Sequence, residues 1–242
     1  MKIKDQAGRM LRSLQTKSTL AIIITAAVLL EATSAIQYWF AQKGIREEIE
    51  RRAQTELQVK NLEIQKVMAS VESAVSNMVW AVEERLNRSD SIPVVADRLV
   101  RNNPSIVGCG VAFVPDYYKK KGRWYEPYAF QTDSTGTELS QIGGEGHDYL
   151  QAKWFQEGMA AGRGYWSDPY FDDSGAKMML CTYTMPVRDK KGNIAAILGA
   201  DVSLDWLGSV INANPIYPSA YNLMISREGQ IMACPVETLV LN

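Results

Sequence analysis

Histidine and cysteine, the residues most often used to bind metal ions and to perform covalent catalysis, are scarce in this chain. Its 242 residues include one histidine and three cysteines, and no two cysteines form a Cys-x-x-Cys pair. This spacing excludes a zinc knuckle. The fingerprints of serine hydrolases, P-loop nucleotidases, zinc peptidases and dinucleotide-binding enzymes are also missing. The sequence therefore predicts no catalytic residue, no metal site and no cofactor.

A large excess of charge of either sign is missing as well. The formal net charge is -1, which argues against nucleic acid as a partner because such proteins present a basic surface. Hydrophobic residues make up 46% of the chain, which is enough for a sizeable core. The charge is unevenly placed, because the first 17 residues hold five basic residues and one acidic residue, a local charge of +4.

An apolar segment follows this basic tail directly. Residues 19–30 contain no charge, Glu31 interrupts them, and the segment ends in the aromatic group Tyr38-Trp39-Phe40. We predict a transmembrane helix over residues 18–40, about the length that a bilayer core needs. Residues 1–17 would then lie in the cytoplasm, with the aromatic residues at the far interface of the inner membrane.

A cleaved signal peptide is the alternative interpretation of the same segment. Leu20 to Leu30 would be its apolar region, and Thr33 and Ala35 would be the small residues before the cleavage site. Glu31 keeps this alternative open, since an ionised carboxylate near the centre of a span costs about 3 kcal/mol on insertion scales. Both interpretations place the rest of the chain outside the cytoplasm.

A long helix is predicted next, over residues 41–88. Glu47 stands four residues before Arg51, and Glu48 four before Arg52, the favourable order for helical ion pairs. Apolar residues then recur at spacings of four and three and form one stripe, namely Ile64, Met68, Val71, Val75, Met78, Val82 and Leu86. The stripe needs an apolar partner, which is the following domain, the same helix of a second subunit, or both. We therefore expect a homodimer through this helix.

Residues 89–212 are predicted to form an α+β domain. Five apolar or aromatic runs separated by turn residues predict strands over residues 105–114, 122–131, 138–142, 178–187 and 194–202. Helices are predicted over 94–101, 149–158 and 204–211, and a further hairpin over 221–226 and 231–234. Cys109 and Cys181 fall in two of the strands. They could form a disulfide if those strands are neighbours, but the favoured interpretation is that they are buried thiols acting as small apolar residues.

The segment from Trp166 to Leu207 has the most distinctive pattern. It begins Trp-Ser-Asp-Pro-Tyr-Phe-Asp-Asp-Ser-Gly and ends in the strand Gly199-Ala-Asp-Val-Ser-Leu204 and its continuation. It resembles the signature of extracytoplasmic Cache sensor domains, of the double Cache type found in bacterial membrane signal-transduction proteins. The resemblance covers residues 42–236 and implies a PAS-like five-stranded antiparallel sheet with flanking helices. It also implies that residues 213–242 begin a membrane-proximal module that this chain does not complete.

Two aromatic clusters are candidates for a ligand site. Near Tyr170, the carboxylates of Asp172 and Asp173 lie beside aromatic residues, which suits a small ligand with a cationic group. In the amino-acid-binding Cache sensors that the chain resembles, an Arg-x-Trp-Tyr motif holds the ligand carboxylate and the aspartate of Pro-Tyr-x-Asp holds its ammonium group. The match is partial, because here the arginine is adjacent to the tryptophan. The predicted ligand-binding residues are Arg123, Trp124, Tyr125, Tyr170, Asp172 and Asp173, and the candidate ligands are amino acids, amines and carboxylates.

The combined pattern favours a membrane-anchored sensor that binds a small molecule and signals across the membrane through its long helix, with no enzymatic activity of its own. A hydrolase acting through Asp168, Asp172 and Asp173 is one alternative. A scaffold that dimerises through the long helix and binds nothing small is the other. The single histidine, His147, lies in a glycine-rich loop and is interpreted as part of a solvated turn.

Overall fold

The computed structural model describes residues 14–132, 136–213, 215, 220–226, 229 and 231–234. The chain divides into two compact units, of which the first ends at Glu56 and the second begins at Leu57. The predicted cytoplasmic tail up to residue 13, the turn at 133–135 and the end of the chain from residue 235 lie outside the described residues.

Helix α1, Leu14–Glu83, contains no proline and a single glycine, so nothing in it breaks the helical hydrogen-bond pattern. Within the first unit its large apolar side chains are exposed, as in Ile22 at 67% and Leu30 at 69%. Among the described residues it is the one helix long and apolar enough to cross a bilayer, which agrees with the predicted span.

The ion pairs of the first unit differ in part from the prediction. Glu48 accepts hydrogen bonds from Arg52 at 2.6 Å, as expected, and also from Arg51. Glu47 instead has its carboxylate 3.8 Å from the ammonium group of Lys43. The predicted Glu47–Arg51 pair is therefore wrong, because Arg51 turns to the neighbouring carboxylate three residues away.

Within the second unit, α1 presents the predicted apolar stripe to the core. Val71, Val75 and Val82 are fully buried there, and the flanking Met78 packs against them. The opposite face of α1 leaves Trp80 exposed at 55%. The prediction that the stripe covers the following domain is confirmed, and the helix ends at Glu83, five residues before the predicted boundary.

The sheet consists of β1 Gly108–Phe113, β2 Pro127–Gln131, β3 Thr137–Gln141, β4 Tyr165–Trp166, β5 Tyr170–Phe171, β6 Met179–Arg188 and β7 Ile194–Ser203. Its order is β3-β2-β1-β7-β6-β4, β5 also pairs with β6, and all the pairs are antiparallel. The five longer strands are those that the sequence predicts, and the two-residue strands β4 and β5 extend the sheet at the β6 edge. The predicted α+β class is confirmed.

Helices cover both faces of this sheet. The remaining helices are α2 Ile92–Asn102, α3 Lys153–Ala161 and α4 Leu204–Asn212, with short 3₁₀ turns at Ser89–Ser91 and Tyr149–Gln151. On one face α1 and α2 form the larger core, to which α2 contributes Leu99 and β1 contributes Val111. On the other face α3 contributes Trp154 and Phe155 to a smaller core with Ala112 and Ile197. Because strand residues alternate between faces, successive residues of each strand serve different cores.

Two predicted elements begin later than expected. Strand β2 begins at Pro127 rather than at residue 122, because the Tyr149 hydroxyl lies between the strands. This hydroxyl donates to the Phe113 carbonyl at 2.6 Å and accepts from the Tyr125 N–H at 3.2 Å, replacing one direct ladder bond. Helix α3 begins at Lys153 rather than at Tyr149, since the backbone at Ala152 is extended.

The cysteine alternatives are decided by the strand order. Cys109 lies in β1 and Cys181 in β6, and β7 separates these two strands. Both side chains are buried free thiols, so the favoured interpretation is confirmed and the disulfide alternative is wrong. They act as small apolar residues of the larger core.

The described part of the second unit ends in a hairpin, β8 Met224–Ile225 and β9 Ile231–Ala233, as predicted. It packs against α4, where Ala233 is buried and the Asn222 side chain donates to the Ile211 carbonyl at 2.9 Å. The ammonium group of Lys60, in α1, donates to the carbonyls of Val210 and Ala213 at 3.4 and 3.0 Å. A cation at these carbonyls stabilises the C-terminal end of α4.

Candidate functional site

A cavity of about 490 Å³ opens on the sheet face that carries α3. Its wall comes from two segments. One is the start of α3 with the turn before it, and the other is the β4–β5 loop with β5 and the two residues after β5. The lining residues are 147–148, 151–154, 157 and 167–173. A cavity of this size suits a small ligand rather than a macromolecule.

A second, inner chamber of about 20 Å³ shares His147, Trp154, Tyr170 and Asp172 with the wall of the outer cavity. Its other lining residues are Gly110, Glu126, Tyr128, Ile142, Thr182, Gly199 and Asp201. The chamber has room for about one atom group of the size of a water molecule. The two spaces together form a candidate site with a wide entrance and a narrow polar floor.

Strand alternation explains why polar side chains face this floor. Tyr128 in β2 and Asp201 in β7 point to the same side as Glu126. Their neighbours Tyr125, Ala129, Ala200 and Val202 face the larger core. Strand β1 lies between β2 and β7, and Gly108 in β1 leaves space for the side chains of Tyr128 and Asp201. A Cβ atom at Gly108 would lie 1.9 Å from the Tyr128 hydroxyl oxygen and 2.8 Å from an Asp201 carboxylate oxygen.

Asp201 is the centre of a buried hydrogen-bond chain. Its carboxylate accepts from the Tyr128 hydroxyl at 2.8 Å and from the Thr182 hydroxyl at 2.6 Å. Because the Thr182 proton is used in this way, the Tyr170 hydroxyl donates to Thr182 at 2.7 Å. Burial raises the pKa of Asp201 to about 6 despite the two donors.

Asp172 holds the loop at the boundary of the two spaces. One of its oxygens accepts from the backbone N–H groups of Ser174 and Gly175 at 3.2 and 3.1 Å, and the other accepts from Ala176 at 2.6 Å. The side chain is 8% exposed. The neighbouring Asp173 carboxylate, by contrast, is mostly exposed at the cavity rim.

Glu126 and His147 form the third polar group of the site. The Glu126 carboxylate is buried, and its Oε2 has no hydrogen-bond partner among the described residues. His147 Nε2 lies 3.3 Å from that oxygen, within ion-pair distance but without the geometry of a hydrogen bond. His147 Nδ1 is 2.6 Å from the Ser174 hydroxyl. The interpretation of His147 as part of a solvated turn is wrong, because these contacts draw the imidazole into the site.

The pKa values of this pair move in the same direction for different reasons. Burial, the larger cause, raises the pKa of Glu126 to about 7, and the nearby His147 opposes this shift. The Glu126 carboxylate raises the pKa of His147 against the opposing effect of burial. Both groups can therefore change charge near neutral pH.

Replacing Glu126 with glutamine is expected to stabilise the chain at pH 8 but not at pH 5. The folded-state pKa of Glu126 is raised from 4.5 to about 7, so its contribution to stability is present below pH 4.5 and is lost as the pH rises through 7. At pH 8 the ionised group costs on the order of 3 kcal/mol. Thermal unfolding of Glu126→Gln and the parent at both pH values measures the difference.

The control for this experiment is Glu138→Gln, which changes an exposed glutamate in β3. It should leave the pH dependence of the parent unaltered. His147 and Asp201 lie near Glu126 in both the parent and the variant, so their own contributions to the pH dependence largely cancel in the comparison. A stability difference of equal size at pH 5 and pH 8 would contradict the assignment.

The structure brings together only part of the predicted ligand-binding set. Tyr170, Asp172 and Asp173 line the outer cavity. Trp124 stands behind the wall, where its indole N–H donates to the cavity residue Asp148 at 2.8 Å.

The other two predicted residues lie away from both spaces. Arg123 is exposed, and its guanidinium carbon lies 5.7 Å from the centroid of the Trp124 ring. Tyr125 is buried in the larger core on the opposite face, with its ring 5.3 Å from that of Phe113. Glu126, Tyr128, His147, Trp154 and Asp201 were not predicted. Strand alternation counted from Trp124 would have placed Glu126 and Tyr128 on the same face as this residue.

Comparison with known proteins gives the domain a context. Residues 93–209 match the family model described as the first PDC sensor domain of methyl-accepting chemotaxis protein-like sequences. The chemotaxis protein McpG of Pseudomonas putida is 26% identical over 97 residues, and PscA of Pseudomonas syringae pv. tomato is 31% identical over 88 residues. These matches cover 40% and 36% of this chain but only 15% and 14% of the relatives.

One solved structure extends the likeness to three dimensions. The ligand-binding domain of the Pseudomonas aeruginosa amino acid chemoreceptor PctC, in complex with GABA, is similar with a TM-score of 0.53. The similarity covers 74% of each chain at 19% sequence identity. At this level of identity the likeness concerns the fold.

Proposed function

Since residues 93–209 form a sensor domain of the Cache (PDC) type, we propose that the chain is the receptor portion of a membrane-anchored extracytoplasmic sensor. The sensor binds a small molecule in the outer cavity and inner chamber and signals through α1. The observation that supports this proposal best is the cavity of about 490 Å³ on the sheet, in which aromatic and charged side chains converge.

The proposed membrane arrangement is supported by the first unit. Residues 1–17 form the cytoplasmic tail, 18–40 the span and 41–88 the extracytoplasmic helix, with the sensor domain over 89–212 and a further module beginning at 213. Exposed apolar side chains on α1 suit lipid, and the basic tail suits the cytoplasmic side of the inner membrane. This order makes α1 the connection between the sensor domain and the bilayer.

Signalling requires a partner for the outer face of α1. We infer that two copies of the chain associate there, because Leu62 and Trp80 are 64% and 55% exposed on the face that does not enter the core. Ligand changes the packing of this helix only if it binds one arrangement more tightly than another. The ligand classes under consideration are amino acids, amines and carboxylates, of which GABA in PctC combines two functional groups.

A panel of these three classes tests the proposal on the whole chain in lipid nanodiscs. A ligand present at 100 times its Kd should stabilise the folded state by about 2.7 kcal/mol, seen as a higher midpoint of thermal unfolding by tryptophan fluorescence. Tyr170→Ala, which removes part of the wall, should abolish the shift. Tyr221→Ala, which changes an exposed tyrosine outside the cavity, should preserve it. No shift with any compound would contradict the proposal.

A further inference from the structure

The inner chamber contains an unsatisfied acceptor. Glu126 is 2% exposed, and its Oε2 has no hydrogen-bond partner among the described residues although it lines the chamber. A buried carboxylate oxygen without a donor is unfavourable, so such atoms are rare unless a bound group completes them. The oxygen therefore indicates a missing donor at this position.

The charge of the surroundings indicates that the donor is positive. The chamber wall holds the carboxylates of Glu126, Asp172 and Asp201, and it includes no lysine or arginine. His147 is the one lining side chain that can become cationic, and it approaches Glu126 without a hydrogen bond. A cationic ligand group would therefore reduce the repulsion among these carboxylates, of which Asp172 and Asp201 already accept hydrogen bonds but Glu126 Oε2 does not.

The outer cavity has the same sign of charge. Its wall adds Asp148, Glu157, Asp168 and Asp173, against a single lysine. That lysine, Lys153, has its ammonium group 2.7 Å from Asp168 and 3.7 Å from Glu157. It is thus engaged by two carboxylates of the wall.

A ligand carboxylate would meet no suitable partner here. Arg123, the residue that the sequence resemblance assigns to this role, is exposed and lines neither space. The chamber volume of about 20 Å³ fits a single ammonium group but not the three non-hydrogen atoms of a carboxylate. The volume of the chamber and the charge of its wall therefore both favour an ammonium group over a carboxylate.

We propose that the ligand is a small alkyl amine without a carboxylate, whose primary ammonium group enters the inner chamber and donates to Glu126 Oε2. Its alkyl chain lies along the Trp154 and Tyr170 rings, which also favour a cation. A second ammonium group, in a diamine, reaches the carboxylates of the outer cavity. This inference rests on the proposed function, since it names the ligand class of the same site.

A series of four-carbon ligands that differ only in their end groups tests the inference. Isothermal titration of the whole chain in nanodiscs compares 1,4-diaminobutane, 4-aminobutyrate and succinate. The diamine should bind at least tenfold more tightly than 4-aminobutyrate, and succinate should give no heat of binding. Equal or tighter binding of either carboxylate would overturn the amine assignment and leave the sensor proposal intact. If no compound of the series or of the wider panel binds, both fail.

Three variants locate the ammonium group. Glu126→Gln should weaken diamine binding tenfold or more, whereas Glu138→Gln, on the exposed side of β3, should not change it. Arg123→Ala should leave binding unchanged, because its guanidinium lies outside the site. Thermal unfolding of each variant confirms that it is folded. Diamine affinity that resists Glu126→Gln, or that falls tenfold in Arg123→Ala, would overturn the proposed position.

Discussion

Replacing Gly108 with alanine is expected to lower the free energy of unfolding by about 4 kcal/mol and to abolish ligand binding. The new Cβ atom would lie 1.9 Å from the Tyr128 hydroxyl oxygen and 2.7 Å from the ring carbon that bears it. Tyr128 must therefore move, and Asp201 loses one of its two side-chain donors. Overpacking costs about 1–3 kcal/mol, and losing a hydrogen bond to a charged group costs about 1.5–3 kcal/mol.

Thermal unfolding should show this loss as a decrease of roughly 10 °C in Tm. Gly110→Ala is the matched control in the same strand, because its Cβ atom would be 3.3 Å from the nearest Tyr128 carbon, a contact that a small shift relieves. Stability rather than ligand binding separates the two variants, because Gly110 also lines the chamber and its new methyl group would lie 3.5 Å from Glu126 Oε1. Similar Tm values for the two variants would contradict this account of the floor.

Asp172→Ala should destabilise the chain by on the order of 3 kcal/mol, through the loop rather than through the ligand. The carboxylate accepts three backbone N–H groups, from Ser174, Gly175 and Ala176, and hydrogen bonds to a charged group are the stronger kind. Hydrogen exchange measured without ligand should show faster exchange at these three amides. Their protection is expected to fall by roughly tenfold or more, because each 1.4 kcal/mol corresponds to a factor of ten.

Asp173→Ala is the control, since it removes the adjacent carboxylate at the exposed rim. It should leave the three amides protected and alter Tm by less than about 1 °C, as expected for a surface substitution. Equal exchange in the two variants would show that the loop does not depend on Asp172. The comparison also indicates how much of any binding defect in Asp172→Ala comes from loss of the loop.

The sequence predicted the sheet well because strand periodicity is a local property. The hairpin of β6 and β7 follows from two apolar runs around a turn, and the helical stripe that contains Val71 and Val75 follows from their spacing. The start of β2 could not be predicted in this way. It depends on the Tyr149 hydroxyl, which comes from 24 residues later in the chain.

The floor of the site was missed for a related reason. Asp201 and Glu126 each belong to a segment that looks like ordinary fold, and their proximity depends on β1 lying between β2 and β7. The sequence resemblance directed attention to Arg123 and Tyr125 instead. Tyr125 alternates with Glu126 and Tyr128 and therefore faces the larger core rather than the chamber.

The Lys60 contacts at the end of α4 connect the floor of the site to α1. Asp201 lies two residues before Ser203, whose hydroxyl accepts from the Trp206 N–H at 3.2 Å and caps α4. Nine residues later the helix ends at the carbonyls that Lys60 of α1 binds. A helix of that length is a rod of about 14 Å. A displacement of β7 would therefore reach α1 at Lys60 as well as through the larger core, in which α1 and β7 pack together.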